Sequence, residues 1–440
     1  MQLKTIYLCK GCGYESSKWL GKCPSCSGWN SFVEDVISTG SAKSSLSKTP
    51  RSMKIAAKET STLSFQNKNS ARLTTGIEEF DRVIGNGFTQ GSLTLLSGEP
   101  GIGKSTLTLQ IANKIAKNHK VLLISGEESL NQIAERNIRL GFNEKNLVAI
   151  NEYNLEIILE TMRKEKPAFV IIDSIQVIAS LDIPSQAGSI SQVRYCTESI
   201  LELSKTSNIT TMLIGHVTKD GTLAGPRVLE HLVDTVISLE GDRYHHFRML
   251  RASKNRFGNC SEVGIFEMNE KGLSEVKNPS KQFLEGRIEN AIGSAITVAM
   301  EGTRPFLVEV QALVSITHFG YPKRTANGFD MNRLQILIAI LEKYGRLNLQ
   351  NQDIFINIVG GIRLDEPAAD LAVIIAIASS YLKKTIPNNT IIFGEAGLSG
   401  ELRKAPHSEK RIKEANKLGF EKIISPEKFK KVIESLSSLV

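Results

Sequence analysis

Residues 93–105 read LTLLSGEPGIGKS, in which an apolar run is followed at once by glycines, a lysine and a serine. Residues 98–105 fit GxxxxGK(S/T), the pattern of a phosphate-binding P-loop. The context fits as well, since the sequence predicts a strand over Leu93–Ser97 and a helix that begins at Ser105. The stretch therefore predicts an α/β fold in which a nucleotide binds after a strand of a parallel sheet.

The loop residues have separate expected roles. Backbone amides and the amino end of the helix hold phosphate oxygens, Lys104 reaches the β and γ phosphates, and Ser105 binds Mg²⁺. The predicted nucleotide contacts are Gly98, Glu99, Pro100, Gly101, Ile102, Gly103, Lys104, Ser105 and Thr106.

Two acidic segments complete the predicted site. Phe169–Asp173 reads as a buried strand that ends in a carboxylate, a Walker B pattern in which Asp173 organises the Mg²⁺ shell. Glu127 and Glu128 follow the predicted strand Val121–Ser125, which we expect beside the P-loop strand. We favour Glu127 as the group that orients or deprotonates the attacking water. The alternatives are a strand-end cap for Asp173 and a solvated helix start for the two glutamates.

The chain is longer than one hydrophobic core usually holds, because it has 440 residues. From about Leu73 to Val276 apolar runs alternate with helical patterns, and the further strands predicted there are Thr210–Gly215, Thr235–Leu239 and Arg248–Ala252. From about Gly286 a second α/β pattern begins. The predicted domains are residues 1–36, a linker over 37–70, an ATPase domain over 71–278, and a second domain over 286–440.

Four of the six cysteines lie in the first 26 residues, as two CxxC pairs separated by ten residues. This spacing is typical of a structural zinc site, because four thiolates can surround one ion tetrahedrally. The predicted zinc ligands are Cys9, Cys12, Cys23 and Cys26. With all four positions filled by protein, this ribbon is expected to hold DNA or protein rather than to catalyse a reaction.

Composition narrows the classes of protein further. The chain is 41% hydrophobic and 23% charged with a net charge of +8, and residues 37–70 contain six Lys or Arg and one acidic residue. That segment is predicted to be a flexible basic linker.

The longest nearly uncharged stretch, Leu371 to Leu382, is shorter than the roughly 20 residues of a membrane span. With no apolar secretory signal at the start, we expect a cytoplasmic protein.

With these residues in view, the chain resembles the bacterial RadA/Sms family of DNA repair proteins, which carry a RecA-like ATPase core. The resemblance covers nearly the whole chain. It rests on the order of the cysteine ribbon, the P-loop, the run Lys254-Asn-Arg-Phe-Gly258, and a C-terminal domain similar to that of Lon proteases.

The resemblance implies a DNA-stimulated ATPase that forms a ring, expected to be hexameric, and uses ATP with Mg²⁺. It implies branch migration during recombination, with single-stranded and branched DNA and a RecA-type recombinase as partners. The acidic residue that matches Glu127 is catalytic in RecA and DnaB relatives, and His216 matches a sensor of the γ-phosphate. Lys254 and Arg256 are expected to reach a neighbour's ATP as arginine-finger groups. The alternatives for them are DNA contact or a solvated basic turn.

Other basic and aromatic residues are candidates for DNA contact. The segment from Asp182 to Val193 is rich in Ser, Gly and Gln and is expected to be a mobile DNA-binding loop, with Arg194 as a nearby cation and Tyr195 as a stacking candidate. In the second domain the candidate cations are Lys404, Lys410, Arg411 and Lys413.

The competing function is an ATP-dependent peptidase. Lon-type enzymes use a Ser activated by a Lys, but the turn of residues 365–370 has Ala368 where such enzymes carry the nucleophile. Without a hydroxyl, the lysine near Lys410 has nothing to activate, so proteolysis is disfavoured. A second alternative is a nucleotide-gated assembly factor with little ATP turnover.

Overall fold

The computed structural model describes residues 3–10, 13–38, 72–216, 226–241, 247–318, 320–360 and 363–437. Most of the predicted linker and the predicted zinc ligand Cys12 lie outside these ranges. Within them the chain forms two compact units. One comprises Met1–Glu240, Leu250–Cys260 and Met268–Leu273, and the other comprises Gly241–Met249, Ser261–Glu267 and Ser274–Val440.

The amino-terminal ribbon is a three-stranded antiparallel sheet. Its strands are β1 (Leu3–Cys9), β2 (Glu15–Ser16) and β3 (Phe32–Ser38), in the order β2-β1-β3. β3 thus continues two residues beyond the predicted end of the ribbon. Ile6 and Leu8 of β1 belong to the same buried cluster as Ile190 and Val193 of the ATPase core. The ribbon therefore packs on the core through the apolar side chains of β1.

The ATPase core alternates strands and helices, as the sequence predicts. Its elements are α1 (Glu78–Ile84), β4 (Leu93–Gly98), α2 (Lys104–Ala116), β5 (Val121–Ser125), α3 (Leu130–Arg139), β6 (Leu147–Asn151), α4 (Leu155–Glu165), β7 (Phe169–Asp173), α5 (Ile190–Ser207), β8 (Thr210–His216), α6 (Pro226–Leu229), β9 (Thr235–Glu240), β10 (Phe247–Asn255), β11 (Val263–Asn269) and β12 (Gly272–Glu275).

The core sheet has the strand order β12-β11-β10-β9-β4-β8-β7-β5-β6. The six strands from β9 to β6 are parallel, which confirms the predicted parallel sheet. All six residues of β4 are buried, since parallel strands at the centre of such a sheet are covered on both faces. The carboxyl ends of β4, β7 and β8 consequently meet at one edge.

The second unit has its own sheet and core. Its elements are α7 (Pro279–Phe283), β13 (Ser294–Glu301), β14 (Arg304–Ile316), β15 (Arg324–Asn327), α8 (Met331–Lys343), β16 (Gln352–Ile358), α9 (Asp370–Leu382), β17 (Thr390–Ile392), β18 (Glu395–Ala396), β19 (Leu402–Arg403), α10 (Ser408–Lys417), β20 (Lys422–Ile424) and α11 (Val432–Leu436). The main sheet has the order β13-β14-β16-β15, and α9 buries its apolar residues against it. No helix in the described part of the chain could cross a membrane.

Candidate functional site

The P-loop connects β4 to α2. α2 begins at Lys104, one residue earlier than predicted, and Gly103 stands at its amino end with φ +114°. Because Gly103 has no side chain, no side chain caps the helix, and its first amide groups are available to a bound anion. L side chains rarely adopt this φ, so the backbone conformation at Gly103 favours glycine.

Lys104 is held inside the loop. It is 4% exposed, and its Nζ donates hydrogen bonds to the carbonyl oxygens of Gly98 at 2.9 Å and Glu99 at 3.0 Å. Burial lowers the pKa of Lys104, while Asp173 and Glu127 act in the opposite direction. The ammonium group is therefore placed at the loop, where phosphate oxygens can replace the carbonyl oxygens.

Asp173 and Ser105 meet at the carboxyl edge of the sheet. Burial raises the pKa of Asp173 above its usual value. The hydrogen bond between the Ser105 hydroxyl and the carboxylate opposes this shift without cancelling it. A serine hydroxyl and a carboxylate are the kind of oxygen ligands that Mg²⁺ binds together with nucleotide phosphates. The two side chains thus fit the predicted Mg²⁺ site.

The expected position of β5 is wrong. β4 pairs with β8 and β9, whereas β5 lies between β6 and β7 and is separated from β4 by two strands. The segment after β5 nevertheless approaches the end of β7, since the amide of Gly126 donates to the carbonyl of Asp173 at 2.9 Å. A Cβ atom at Gly126 would lie 2.2 Å from Cγ2 of Val177, so glycine is required for this close approach.

Glu127 extends from that segment toward the P-loop. Its Oε1 accepts a hydrogen bond from the Ser174 hydroxyl at 2.5 Å and lies 3.5 Å from Nε2 of His216. The contact with His216, the hydrogen bond from Ser174 and the charge of Lys104 lower the pKa of Glu127, against the effect of burial. The carboxylate therefore stays ionised, as a base that positions water must be.

Glu128 has a different environment. Arg136 donates to both carboxylate oxygens of Glu128, at 2.8 and 2.5 Å. The Ser125 hydroxyl also binds the backbone of Glu128 and closes the turn after β5. The carboxylate of Glu128 is thus occupied by Arg136, whereas the carboxylate of Glu127 contacts Ser174 and His216.

His216 ends β8 directly beside Gly98 of the P-loop strand. The side-chain amide of Gln176 donates to the backbone carbonyl of His216 at 3.4 Å, and Gln176 is 6% exposed. Sequence reasoning missed Gln176 and Ser174. The signal that could have identified Gln176 is a polar residue inside an apolar segment just after the Walker B aspartate.

Lys254 and Arg256 lie near the amino ends of the parallel strands, whereas the P-loop of the same chain lies at their carboxyl ends. The sequence predicts that this strand ends at Ala252 and that Lys254 lies just past it. That prediction is wrong, because β10 extends to Asn255 and includes Lys254. Arg256 pairs with Asp234 at 3.2 Å, and Asp234 in turn accepts from the amide of Leu93, where β4 begins. Five residue steps of β4, roughly 17 Å, separate that end from the P-loop. Neither side chain therefore reaches the nucleotide site of its own chain.

Three of the predicted zinc ligands are brought together. The Sγ atoms of Cys9, Cys23 and Cys26 all lie within 4.8 Å of one another, and those of Cys9 and Cys26 are 3.5 Å apart. Thiolates around one zinc ion are about 3.8 Å apart, given Zn–S bonds of about 2.3 Å. The donor set fits zinc, and Cys12 lies outside the described residues.

The candidates for DNA contact in the core are engaged in other interactions. Arg194 pairs with Glu198 at 3.1 Å and with Glu15 of the ribbon at 3.6 Å. Tyr195 is half-buried and donates to Asp182 at 3.3 Å. The segment expected to be mobile folds around the buried Gln192, whose side chain hydrogen-bonds the backbone of residues 180, 183 and 185.

In the second unit the prediction that Arg411 is available for DNA contact is wrong, because its side chain is buried. Arg411 is 1% exposed, and it binds the carboxylate of Glu366 at 3.0 and 2.5 Å as well as the carbonyl of Val298. Lys404, Lys410 and Lys413 are exposed. Ala368 is 2% exposed, in a short turn before α9.

Known protein families match the amino-terminal ribbon, the ATPase core and part of the second unit. Residues 73–279 match the KaiC family of ATPases, residues 7–34 match the rubredoxin metal binding domain, and residues 323–428 match subunit ChlI of Mg-chelatase. Over 425 residues the chain is 49% identical to DNA repair protein RadA of Bacillus subtilis, covering 96% of this chain and 92% of that protein. DNA repair protein RadA of Streptococcus pyogenes serotype M6 is 50% identical, with the same coverage.

The chain is also similar to a relative from Listeria monocytogenes and to a solved structure. DNA repair protein RadA of Listeria monocytogenes is 48% identical over 423 residues, covering 96% of this chain and 92% of that protein. The crystal structure of a KaiC-like protein from Pyrococcus horikoshii superposes with a TM-score of 0.40 at 22% identity, covering 47% of this chain and 99% of that one.

Proposed function

This chain belongs to the RadA family of DNA repair proteins, and we propose that it is an ATP-hydrolysing motor that promotes branch migration of recombination intermediates. Its proposed partners are single-stranded and branched DNA and a RecA-type recombinase. The proposed assembly is a homo-oligomeric, hexameric ring in the cytoplasm. The proposed domains are the zinc ribbon, the basic linker, the RecA-like ATPase domain and the Lon-protease-like domain.

The observation that carries the ATPase proposal is the convergence of four side chains at one edge of the sheet. Ser105 hydrogen-bonds Asp173 there, and the charges of Lys104, Asp173 and Glu127 are close enough to shift one another's pKa. Ser105 and Asp173 would hold Mg²⁺, which supplies positive charge to the phosphates when it is bound. Lys104 stabilises the negative charge on the β and γ phosphates, and Glu127 accepts a hydrogen bond from the attacking water.

His216 supports a link between hydrolysis and DNA. It contacts Glu127 through its ring and Gln176 through its carbonyl oxygen, so a change at the γ-phosphate can be passed from Glu127 to Gln176. We assign His216 the role of sensor in this proposal. The coupling would move the residues that hold DNA each time ATP is hydrolysed.

The location of Lys254 and Arg256 supports action between subunits. Both lie at the amino end of the parallel strands, whereas the P-loop lies at the carboxyl end. A basic group placed there cannot serve its own chain's nucleotide but can reach a neighbour's, as an arginine finger does in trans. A closed ring gives every nucleotide site such a neighbour.

Steady-state ATP hydrolysis with and without single-stranded DNA tests the proposal. We expect DNA to stimulate hydrolysis and Lys104→Ala to abolish it, with Lys114→Ala on the same helix as the control. Turnover that DNA does not change would support a nucleotide-gated assembly factor instead. Casein cleavage that is lost on changing Lys410 would support a peptidase.

A further inference from the structure

Exposed aromatic side chains are concentrated on the zinc ribbon. Among the residues that the structure describes, five aromatic side chains are exposed, and three of them, Tyr14, Trp19 and Trp29, lie on the ribbon. Trp19 is 54% exposed and Trp29 is 73% exposed, and the whole chain contains just these two tryptophans. Tryptophan is usually well covered in folded proteins, so two exposed rings on one small unit indicate a binding surface.

The two rings flank the same short segment of backbone. Lys22 pairs with Trp29 across a β-bridge, and the Nζ of Lys22 lies 5.7 Å from the centre of the Trp29 ring. Ring atoms of Trp19 lie 3.8 and 3.9 Å from the position of a Cβ atom on Gly21. The rings are thus held beside Gly21 and Lys22 by the hairpin that carries the second pair of cysteines, and binding would require little reordering.

Lysines lie next to the two tryptophans: Lys18 precedes Trp19 in the sequence, and Lys22 lies beside the Trp29 ring. Lys18 and Lys22 are exposed, and neither forms an ion pair with a carboxylate in the described part of the chain. Of the acidic residues nearby in the sequence, Glu15 pairs with Arg194 of α5 at 3.6 Å, and Glu34 is exposed on β3. Among residues 6–10 and 13–34 no large aliphatic side chain is exposed, which argues against an apolar protein-docking patch there.

We propose that Trp19 and Trp29 form a base-stacking site for single-stranded DNA, with Lys18 and Lys22 contacting the phosphates. Stacking on aromatic rings beside cations is how proteins hold single strands without reading sequence. The proposal takes DNA as the ligand from the proposed function. It assigns to the ribbon the stacking role that was expected of Tyr195, whose hydroxyl is bound to Asp182.

Tryptophan fluorescence of the full chain, titrated with an oligo(dT) strand, tests the site directly. Because both tryptophans lie on the ribbon, we expect saturable quenching from this surface alone. Each of Trp19→Ala and Trp29→Ala should weaken binding roughly 5- to 100-fold, measured with a fluorescently labelled strand. Trp19→Phe and Trp29→Phe should weaken it less, because they keep a ring. Tyr153→Ala, which removes an exposed aromatic side chain from the core, is the control.

Zinc content of each variant shows that the ribbon remains folded. Unquenched emission, or unchanged affinity of a zinc-loaded Trp19→Ala/Trp29→Ala variant, would overturn the stacking site while DNA-stimulated hydrolysis could still stand. If the full chain bound no DNA by any readout, the proposed function would fail first. Quenching by a recombinase but not by oligo(dT) would assign the surface to a protein and would also overturn the proposal.

Discussion

Arg136 donates two hydrogen bonds to the carboxylate of Glu128, whereas the adjacent Glu127 lies 3.5 Å from Nε2 of His216 and accepts a hydrogen bond from Ser174. Two neighbouring acidic residues that are equivalent in the sequence thus have different surroundings. We infer from this difference that Glu128 has a structural role and that Glu127 serves the nucleotide site.

Replacing each glutamate by glutamine tests this division. Glu127→Gln should lower kcat for ATP hydrolysis about 100- to 10,000-fold, because the general base is lost, and should leave nucleotide affinity nearly unchanged. Glu128→Gln should leave kcat within a few-fold of the parent. Phosphate release and binding of a fluorescent nucleotide measure the two effects. Equal losses of kcat in both variants would contradict the assignment.

The pH dependence of hydrolysis should follow the lowered pKa of Glu127. A base acts when ionised, so activity is present above its pKa and is lost as the pH falls through that value. Contact with His216 and the hydrogen bond from Ser174 hold the pKa of Glu127 below the usual range, so the acid limb of kcat/KM should lie at correspondingly low pH.

Ser174→Ala removes one of those lowering contacts and should move the acid limb to higher pH. Thr206→Ala, at a hydroxyl on the far end of α5, should not move it. Rates measured between about pH 4 and 8, with circular dichroism as a check on folding, decide between these outcomes. A limb that stays in place in Ser174→Ala would remove the hydroxyl from the argument.

If Arg256 acts on the nucleotide of a neighbouring subunit, two inactive variants should complement each other when they are mixed. Arg256→Ala and Lys104→Ala should each be inactive alone, and mixing them should restore part of the hydrolysis. In a mixed ring some sites combine an intact P-loop from one subunit with an intact Arg256 from the next. Hydrolysis measured across mixing ratios tests this. An arginine that serves its own chain's nucleotide would give no recovery at any ratio.

Removal of a zinc ligand should release the metal. Cys23→Ser should lose zinc, measured by elemental analysis, and should lower the thermal stability of the ribbon, because metal binding and folding are coupled. Cys260→Ser is the matched control, since Cys260 is exposed and lies outside the cluster. Retention of a full equivalent of zinc by Cys23→Ser would refute the site.

The buried ion pair of the second unit should be costly to break. Arg411→Met leaves the Glu366 carboxylate without its partner and should destabilise that unit by about 3 kcal/mol, near the low end for buried pairs because Glu366 is partly exposed. The exposed pair of Arg403 and Glu401 gives the control, and Arg403→Met should cost about 1 kcal/mol or less. Urea unfolding followed by circular dichroism measures both. Equal effects would mean that burial of Arg411 adds nothing.

Much of the fold follows from local patterns. The apolar runs predict β5 and β7 with their observed bounds, and β4, β8 and β9 each extend one residue further than predicted. β6 and α4 were not predicted, although β6 opens with four apolar residues; β6 is half-buried and lies at the end of the sheet. Element type follows from periodicity, which is a local property.

The sequence by itself determined the chemistry of the loop and of the ribbon. A P-loop needs glycine, lysine and serine at fixed spacing, and a zinc site needs cysteines at fixed spacing, so both can be recognised without a structure. The tertiary structure decided which residues surround them. β5 is separated from β4 by two strands, yet Gly126 brings Glu127 to His216, and Arg411 lies in the core although its helix is rich in charge. Strand order and burial depend on contacts between distant parts of the chain, and no local pattern contains them.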